Sequence, residues 1–257
     1  MERLRAEAIH TWFDLGLFID RFKENREVPA VSFSGAFEDF LRFIKEGGIA
    51  FVSFFYSVDG VSIECEKYAN SFRAMFKNIP IHYISGIFYE NGEAYLLPDT
   101  QRLELPSIAG FANWRLYEPM FFQKLERGGD EYNRLIKELW EEVLSICEEL
   151  GNYIEQNDIR LLYLVNTNSN PGNLSLALAL VFISEMMGVL VISNNHDFYW
   201  EGGHSEIERE QQKLPPGPRD HFFTNYHLGE VFTLLELIYP WESRTWFSLN
   251  INPYQSD

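Results

Sequence analysis

Residues 159–203 constrain the fold of this chain more than any other stretch. Ile159–Val165 (IRLLYLV) is an unbroken apolar run and Asn166–Asn173 (NTNSNPGN) is a polar turn. Leu174–Met187 (LSLALALVFISEMM) is apolar nearly all round, and Val189–Ser193 (VLVIS) is apolar again. Two strands that are apolar on both faces, joined by a helix of the same kind, read as a buried βαβ unit with parallel strands. A polar cluster follows: Asn194-Asn195-His196-Asp197-Phe198-Tyr199-Trp200-Glu201-Gly202-Gly203. Ligands of open parallel sheets bind beyond the carboxyl ends of the strands. The site is therefore expected where these two strands empty into polar loops.

The first half repeats the pattern. Ile49–Phe55 (IAFVSFF) reads as a buried strand and Tyr56–Ser62 as a turn. Ser62–Phe76 reads as an imperfectly amphipathic helix and Ile79–Ile84 as a second strand. Before this unit, residues 1–48 read as a helical lead-in, with Phe37, Phe40, Leu41 and Ile44 at helical spacing and Gly47-Gly48 as the stop. After it, Asn91-Gly92 suggests a hairpin between further strands within Tyr83–Glu104. A long helix is expected from Asp130 through Tyr153, with an acidic outer face (Glu138, Glu141, Glu142, Glu148, Glu149) read as solvated surface. Towards the end, His204–Glu210 suggests the start of a helix and the proline-rich 214–220 a loop. His221–Asn225 suggests a short strand, Leu228–Tyr239 a helix stopped by Pro240, and Trp246–Asn252 a last strand. The fold class that results is α/β: a Rossmann-like, doubly wound, mainly parallel sheet with flanking helices over residues 49–257.

A chain of 257 residues can bury a substantial core. Its formal net charge of −17 argues against nucleic acid or an anionic membrane as a non-specific partner. Two cysteines far apart, Cys65 and Cys147, indicate neither a disulfide framework nor a thiolate metal cluster. The first ten residues, MERLRAEAIH, lack an apolar secretory core, and the longest apolar run is too short to span a bilayer. These features point to a cytoplasmic protein with no transmembrane segment.

Each candidate residue has a chemical and a structural reading. Asp59-Gly60 sits in the first strand-to-helix turn, where a glycine lets backbone approach a phosphate and the helix N-terminus favours an anion. A tight turn with a capping residue fits as well. His196-Asp197 can supply an acid, a base or hydrogen bonds to a sugar hydroxyl, or can simply cap a loop. Tyr199 and Trp200, with Gly202 and Gly203, suit stacking on a sugar ring, or else an aromatic core beneath a loop. Asn166, Asn168 and Asn170 offer donors and acceptors for hydroxyls, or serve the cap of the following helix. A metal site from His196, Asp197, Glu201 and His204 matches no zincin spacing, and no G-x-S-x-G elbow marks a serine hydrolase. A stand-alone hydrolase or metal enzyme and a non-catalytic interaction module stay open as alternatives.

Asp59-Gly60-Val61-Ser62 after the first strand, the Asn166–Asn173 edge loop and the strand ending Asn195-His196-Asp197-Phe198-Tyr199-Trp200 together resemble retaining glycosyltransferases of the GT-B fold, the family-4-like group, in their amino-terminal, acceptor-side half. The resemblance implies transfer of a sugar from a nucleotide diphosphate sugar, with retention of configuration and no bound metal or cofactor. It implies backbone contacts from Gly60 and Val61 to the donor, with Asp59 in the same turn. His196, the implied catalytic residue, would contact the transferred sugar. The acceptor, a sugar or small molecule, would lie near Asn166–Asn173 and Phe198–Gly203, with Asn195, Asp197 and Glu201 on the same edge. Two departures accompany it. The family's usual pair of glycines is here Asp59-Gly60, and the nucleotide-holding second domain with its E-x7-E motif is missing. Glu38/Glu46 and Glu141/Glu149 have that separation but lie on amphipathic helices before the wrong strands. The expectation is therefore a half-enzyme, inactive without a second domain.

Overall fold

The protein is described by a computed structural model covering residues 1–24, 37–123, 125–198, 210–213, 234 and 236–251. Six strands form one all-parallel sheet: β1 (Gly48–Tyr56), β2 (Ile81–Phe88), β3 (Gln101–Glu104), β4 (Ile159–Val165), β5 (Leu190–Asn195) and β6 (Trp246–Asn250). Their order is β3-β2-β1-β4-β5-β6, that of a dinucleotide-type doubly wound fold. Helices among the described residues include α1 (Glu2–Arg5), α2 (Trp12–Glu24), α3 (Phe37–Glu46), α4 (Gly60–Met75), α5 (Glu90–Glu93), α6 (Tyr117–Phe121), α7 (Asp130–Gln156) and α8 (Leu174–Met187).

Each face of the sheet has its own core. On one side α1, α2, α7 and α8 pack on Ala50, Val52, Leu162, Leu164 and Val191. On the other, α3 and α4 cover Ile49, Phe51, Tyr83, Leu161 and Tyr163. Alternate residues of a strand point to opposite faces, so strands covered on both sides must be apolar throughout. That is why β1 and β4 show no polar alternation. Helix α8 has no exposed stripe, being buried from Leu174 through Glu185. Two of its polar atoms are matched inside the core: Glu185 Oε1 accepts from Trp241 Nε1 at 2.8 Å and Ser184 Oγ from Trp246 Nε1 at 2.8 Å. A buried polar group left without a partner would cost about 1–3 kcal/mol, and here the aromatic N–H groups remove that cost.

Helix α2 belongs to the same core, with Phe18 against Trp140 and Phe182 at centroid distances of 5.6 and 5.4 Å. Much of the chain's aromatic content is spent in such contacts.

The sequence reading needs two corrections. Asn91-Gly92 makes no hairpin; it lies in α5, and β2 and β3 run parallel. Gly92 is used for close approach, since a Cβ there would stand 2.4 Å from Ser57 Cα. The acidic face of α7 is not wholly solvated either. The Glu142 side chain is only 8% exposed and accepts from Trp114 Nε1 at 2.8 Å and Ser175 Oγ at 2.6 Å. The last strand stops at Asn250 and joins the sheet edge in parallel with β5. Residues 221–225 and most of 204–210 lie outside the described residues, and the expected 228–239 helix is seen only at its end, 234 and 236–238.

Candidate functional site

Strand β1 leads through α4 towards β2 on one side, while β4, its neighbour, leads through α8 towards β5 on the other. Connections diverging from two adjacent parallel strands open a crevice beyond their carboxyl ends, the usual ligand position in such sheets. Three chain segments line it here: the β1–α4 turn, the start of the β4–α8 loop, and the end of β5.

Asp59 ends the first turn in an extended conformation and caps α4. Its Oδ1 accepts the Ser62 N–H at 2.8 Å and its Oδ2 accepts the Ser57 hydroxyl at 2.5 Å. One donor at this helix N-terminus is thus taken by the protein's own carboxylate. Gly60 and Val61 open the helix, where N–H groups precede any intrahelical partner. No non-neighbouring atom lies within 4 Å of where a Gly60 Cβ would stand.

Five residues on from Asp59, Glu64 meets the end of β5. Its Oε2 lies 2.7 Å from His196 Nε2, and its Oε1 accepts from Asn194 Nδ2 at 3.1 Å. The two side chains of the pair retain 19% and 22% of their exposure, so the pair sits in the crevice wall within reach of a ligand. The same Asn194 amide donates to Tyr163 Oη at 2.9 Å. Burial above all, with Tyr68 and Glu64 nearby, raises the Tyr163 phenol far above its ordinary range, so it stays neutral. Burial also pushes the Cys65 thiol up to about 12, which removes it as a nucleophile at neutral pH.

Asn166 joins the other side. Its Oδ1 accepts the backbone N–H of His196 at 2.8 Å and of Asp197 at 3.2 Å, and its Nδ2 donates to Asp197 Oδ2 at 3.3 Å. Asp59, Gly60, Asn166, His196 and Asp197, all singled out in the sequence, therefore belong to one edge, and Val61 packs partly against the core beneath it.

Other candidates are turned inwards. Asn195 is fully buried, accepting from Ser193 Oγ at 2.9 Å and donating to Asn250 Oδ1 at 3.1 Å, which ties β5 to β6. Asn168 is buried and donates to Ala177 O at 3.1 Å. Asn170 is 7% exposed. Phe198 is core. Tyr199, Trp200, Glu201, Gly202, Gly203 and His204 lie outside the described residues. Among the described residues, no three His, Cys, Asp or Glu side chains come together to hold a metal. None of the described helices is long and apolar enough to cross a membrane.

Glu64 is the member that sequence reasoning missed. It sits in the second turn of a helix whose apolar pattern is poor, and only the strand order 1-4-5 brings α4 to β5.

No protein-family model matches the chain, and no curated protein matches it. Among solved structures it is similar to a UGT transferase from Siraitia grosvenorii in complex with UDP, at 11% identity and a TM-score of 0.31. That likeness covers 58% of this chain and 28% of the other. The doubly wound, Rossmann-like arrangement stands on the sheet's own strand order.

Proposed function

We propose that this chain is the acceptor-side half of a glycosyltransferase, with His196 as the residue that contacts the transferred sugar. The observation that carries the reading is the meeting of Glu64, His196 and the Asn166–Asp197 pair at the switch-point crevice. An imidazole beside a carboxylate offers both a donor and an acceptor to the hydroxyls of the transferred sugar. The acidic surroundings, Asp59, Glu64 and Asp197, suit hydroxyl groups better than phosphate.

On this reading the donor is a nucleotide diphosphate sugar. Its diphosphate is held mainly by a second domain, with Gly60 and Val61 approaching through their N–H groups. The product keeps the donor's anomeric configuration. Transfer requires donor and acceptor in one cleft, so this half alone does not turn over.

The test is transfer from nucleotide sugars by the chain joined to a nucleotide-binding second half. His196→Ala is expected to lower the rate by roughly 10- to 100-fold, the worth of a lost charge-assisted hydrogen bond to the transferred sugar, with an unchanged far-ultraviolet spectrum. Full activity in His196→Ala, or turnover by residues 1–257 alone, would overturn the reading.

A further inference from the structure

His196 is gripped from two sides, at its backbone by Asn166 and at its ring by Glu64. Asn166 follows β4 with a φ of +59°, a left-handed conformation that asparagine tolerates better than most residues. Its side-chain oxygen collects three donors: the N–H of His196 at 2.8 Å, the N–H of Asp197 at 3.2 Å and the Ser169 hydroxyl at 3.3 Å. Its amide nitrogen donates to Asp197 Oδ2 at 3.3 Å. Its backbone is engaged as well, the N–H with Asn194 O and the carbonyl with the Asn170 N–H, both at 3.1 Å. A sugar hydroxyl donating to the Asn166 side-chain oxygen would have to displace donors that already converge on it.

On the ring side, Glu64 is aimed by a buried amide. Asn194, 3% exposed, spends its two side-chain hydrogens on Glu64 Oε1 and Tyr163 Oη, and the other carboxylate oxygen is left at His196 Nε2. Tyr163 is itself fixed in the sheet and against Tyr68, 5.0 Å away between centroids.

We propose that Asn166 and Glu64 are positioning residues for His196, Asn166 setting its backbone and Glu64 its ring, and that the Asn166 side-chain oxygen serves the chain's own donors rather than the sugar. The name of the reaction rests on the glycosyltransferase reading; the positioning itself is a property of this chain and is measurable without turnover.

The experiment is residue-resolved hydrogen exchange and side-chain NMR on the full 257-residue chain. Asn166→Gly removes the amide while glycine accepts the left-handed φ without strain. The His196 and Asp197 amides are expected to exchange about 10-fold faster, the worth of one typical net hydrogen bond, with Val191 and Ile192 in mid-strand unchanged. Asn166→Asp keeps the accepting oxygen but repels Asp197. It should hold the protection of His196 and lose that of Asp197, and it carries the test if the glycine variant does not fold. Glu64→Gln keeps an oxygen for Asn194 and removes the charge at the ring. It should move the His196 ring resonances and leave its backbone amide protection in place.

Unchanged exchange at both His196 and Asp197 in the Asn166 variants would overturn the Asn166 assignment. Unmoved ring resonances in Glu64→Gln would overturn that of Glu64. In the joined enzyme, Asn166→Gly should lower kcat with KM for the sugar nearly constant, whereas a rise in KM alone would make Asn166 a ligand contact. If the exchange results hold and no transfer is found in the wild type, the reaction is wrong and the positioning stands.

Discussion

Two strand-to-helix turns flank the crevice, and locally they are built alike. In the first, Asp59 caps α4 by accepting the N–H of Ser62; in the second, Asn173 caps α8 by accepting the N–H of Leu176 at 2.9 Å. Each has a glycine next to the cap, Gly60 after Asp59 and Gly172 before Asn173. Their surroundings differ completely. Asn173 is fully buried, and its amide nitrogen donates to Ser107 O and Ala109 O at 2.9 and 2.8 Å. Asp59 is partly exposed beside open space at Gly60. The same capping signature thus serves once as a buried tie between α8 and the 107–109 segment, and once as the rim of the crevice. A cap read from sequence says where a helix starts; only its burial says whether a ligand can reach it.

The largest expected effect tests the buried tie. Asn173→Ala removes the cap and leaves two carbonyls without their donor. A cap is worth about 1 kcal/mol and a buried unsatisfied group about 1–3 kcal/mol, so a loss of about 3 kcal/mol is expected in urea denaturation. A loss under about 1 kcal/mol would mean that this turn is no more structural than the other.

The glycine of the same turn comes next. A Cβ on Gly172 would stand 2.7 Å from Phe54 Cε2 and 3.1 Å from Phe111 Cε2. Phe54 is only 3% exposed and has little room to withdraw. Gly172→Ala is therefore expected to cost about 1–3 kcal/mol through overpacking, read from the same denaturation curves. The turn's closure also rests on the Phe111 N–H, which donates to Gly172 O at 2.7 Å from a residue held at a φ of +55°.

These contrasts define what the sequence could disclose. The apolar runs at Ile159–Val165 and Leu174–Met187 correspond to β4 and α8 residue for residue, because an element buried on all sides leaves no polar alternation to misread. The cap at Asp59 was one of the two readings of its turn, whereas the cap of α8, expected from Asn166, Asn168 or Asn170, is made by Asn173. The run NTNSNPGN could be read as a hydroxyl-binding loop or as a helix cap, yet its asparagines divide between holding His196, bonding to α8 and tying down the 107–109 segment. That division depends on what lies across the gap. Asn91-Gly92 misled because a four-residue helix accepts the same pair as a hairpin, and only the parallel pairing of β2 and β3 decides between them. Glu64 was invisible because its partner, His196, lies 132 residues away on a strand that reaches α4 only through the sheet order.

On the open side, Asp59→Ala removes a cap that stands partly in water. The expected loss is about 1 kcal/mol, and Asp59→Asn should recover most of it, since asparagine caps as well as aspartate. Denaturation midpoints of the three proteins check this. A loss matching that of Asn173→Ala would erase the distinction between rim and tie.

The smallest effect is the most discriminating. Gly60 begins α4 with a φ outside the left-handed region and no atom where a Cβ would go, so neither conformation nor crowding requires glycine there. Alanine restricts the unfolded chain and favours the helix, and Gly60→Ala is expected to leave stability unchanged or raise it by roughly 0.5–1 kcal/mol. If the fold does not need this glycine, any loss it causes must come from what approaches it. Under the proposed function, the methyl group stands where the donor reaches the helix N-terminus. Transfer by the joined enzyme should then fall while the melting temperature holds or rises. Equal loss of stability and activity would place Gly60 with Gly172 among the packing glycines, and undiminished transfer would free the β1–α4 turn from any contact with the donor.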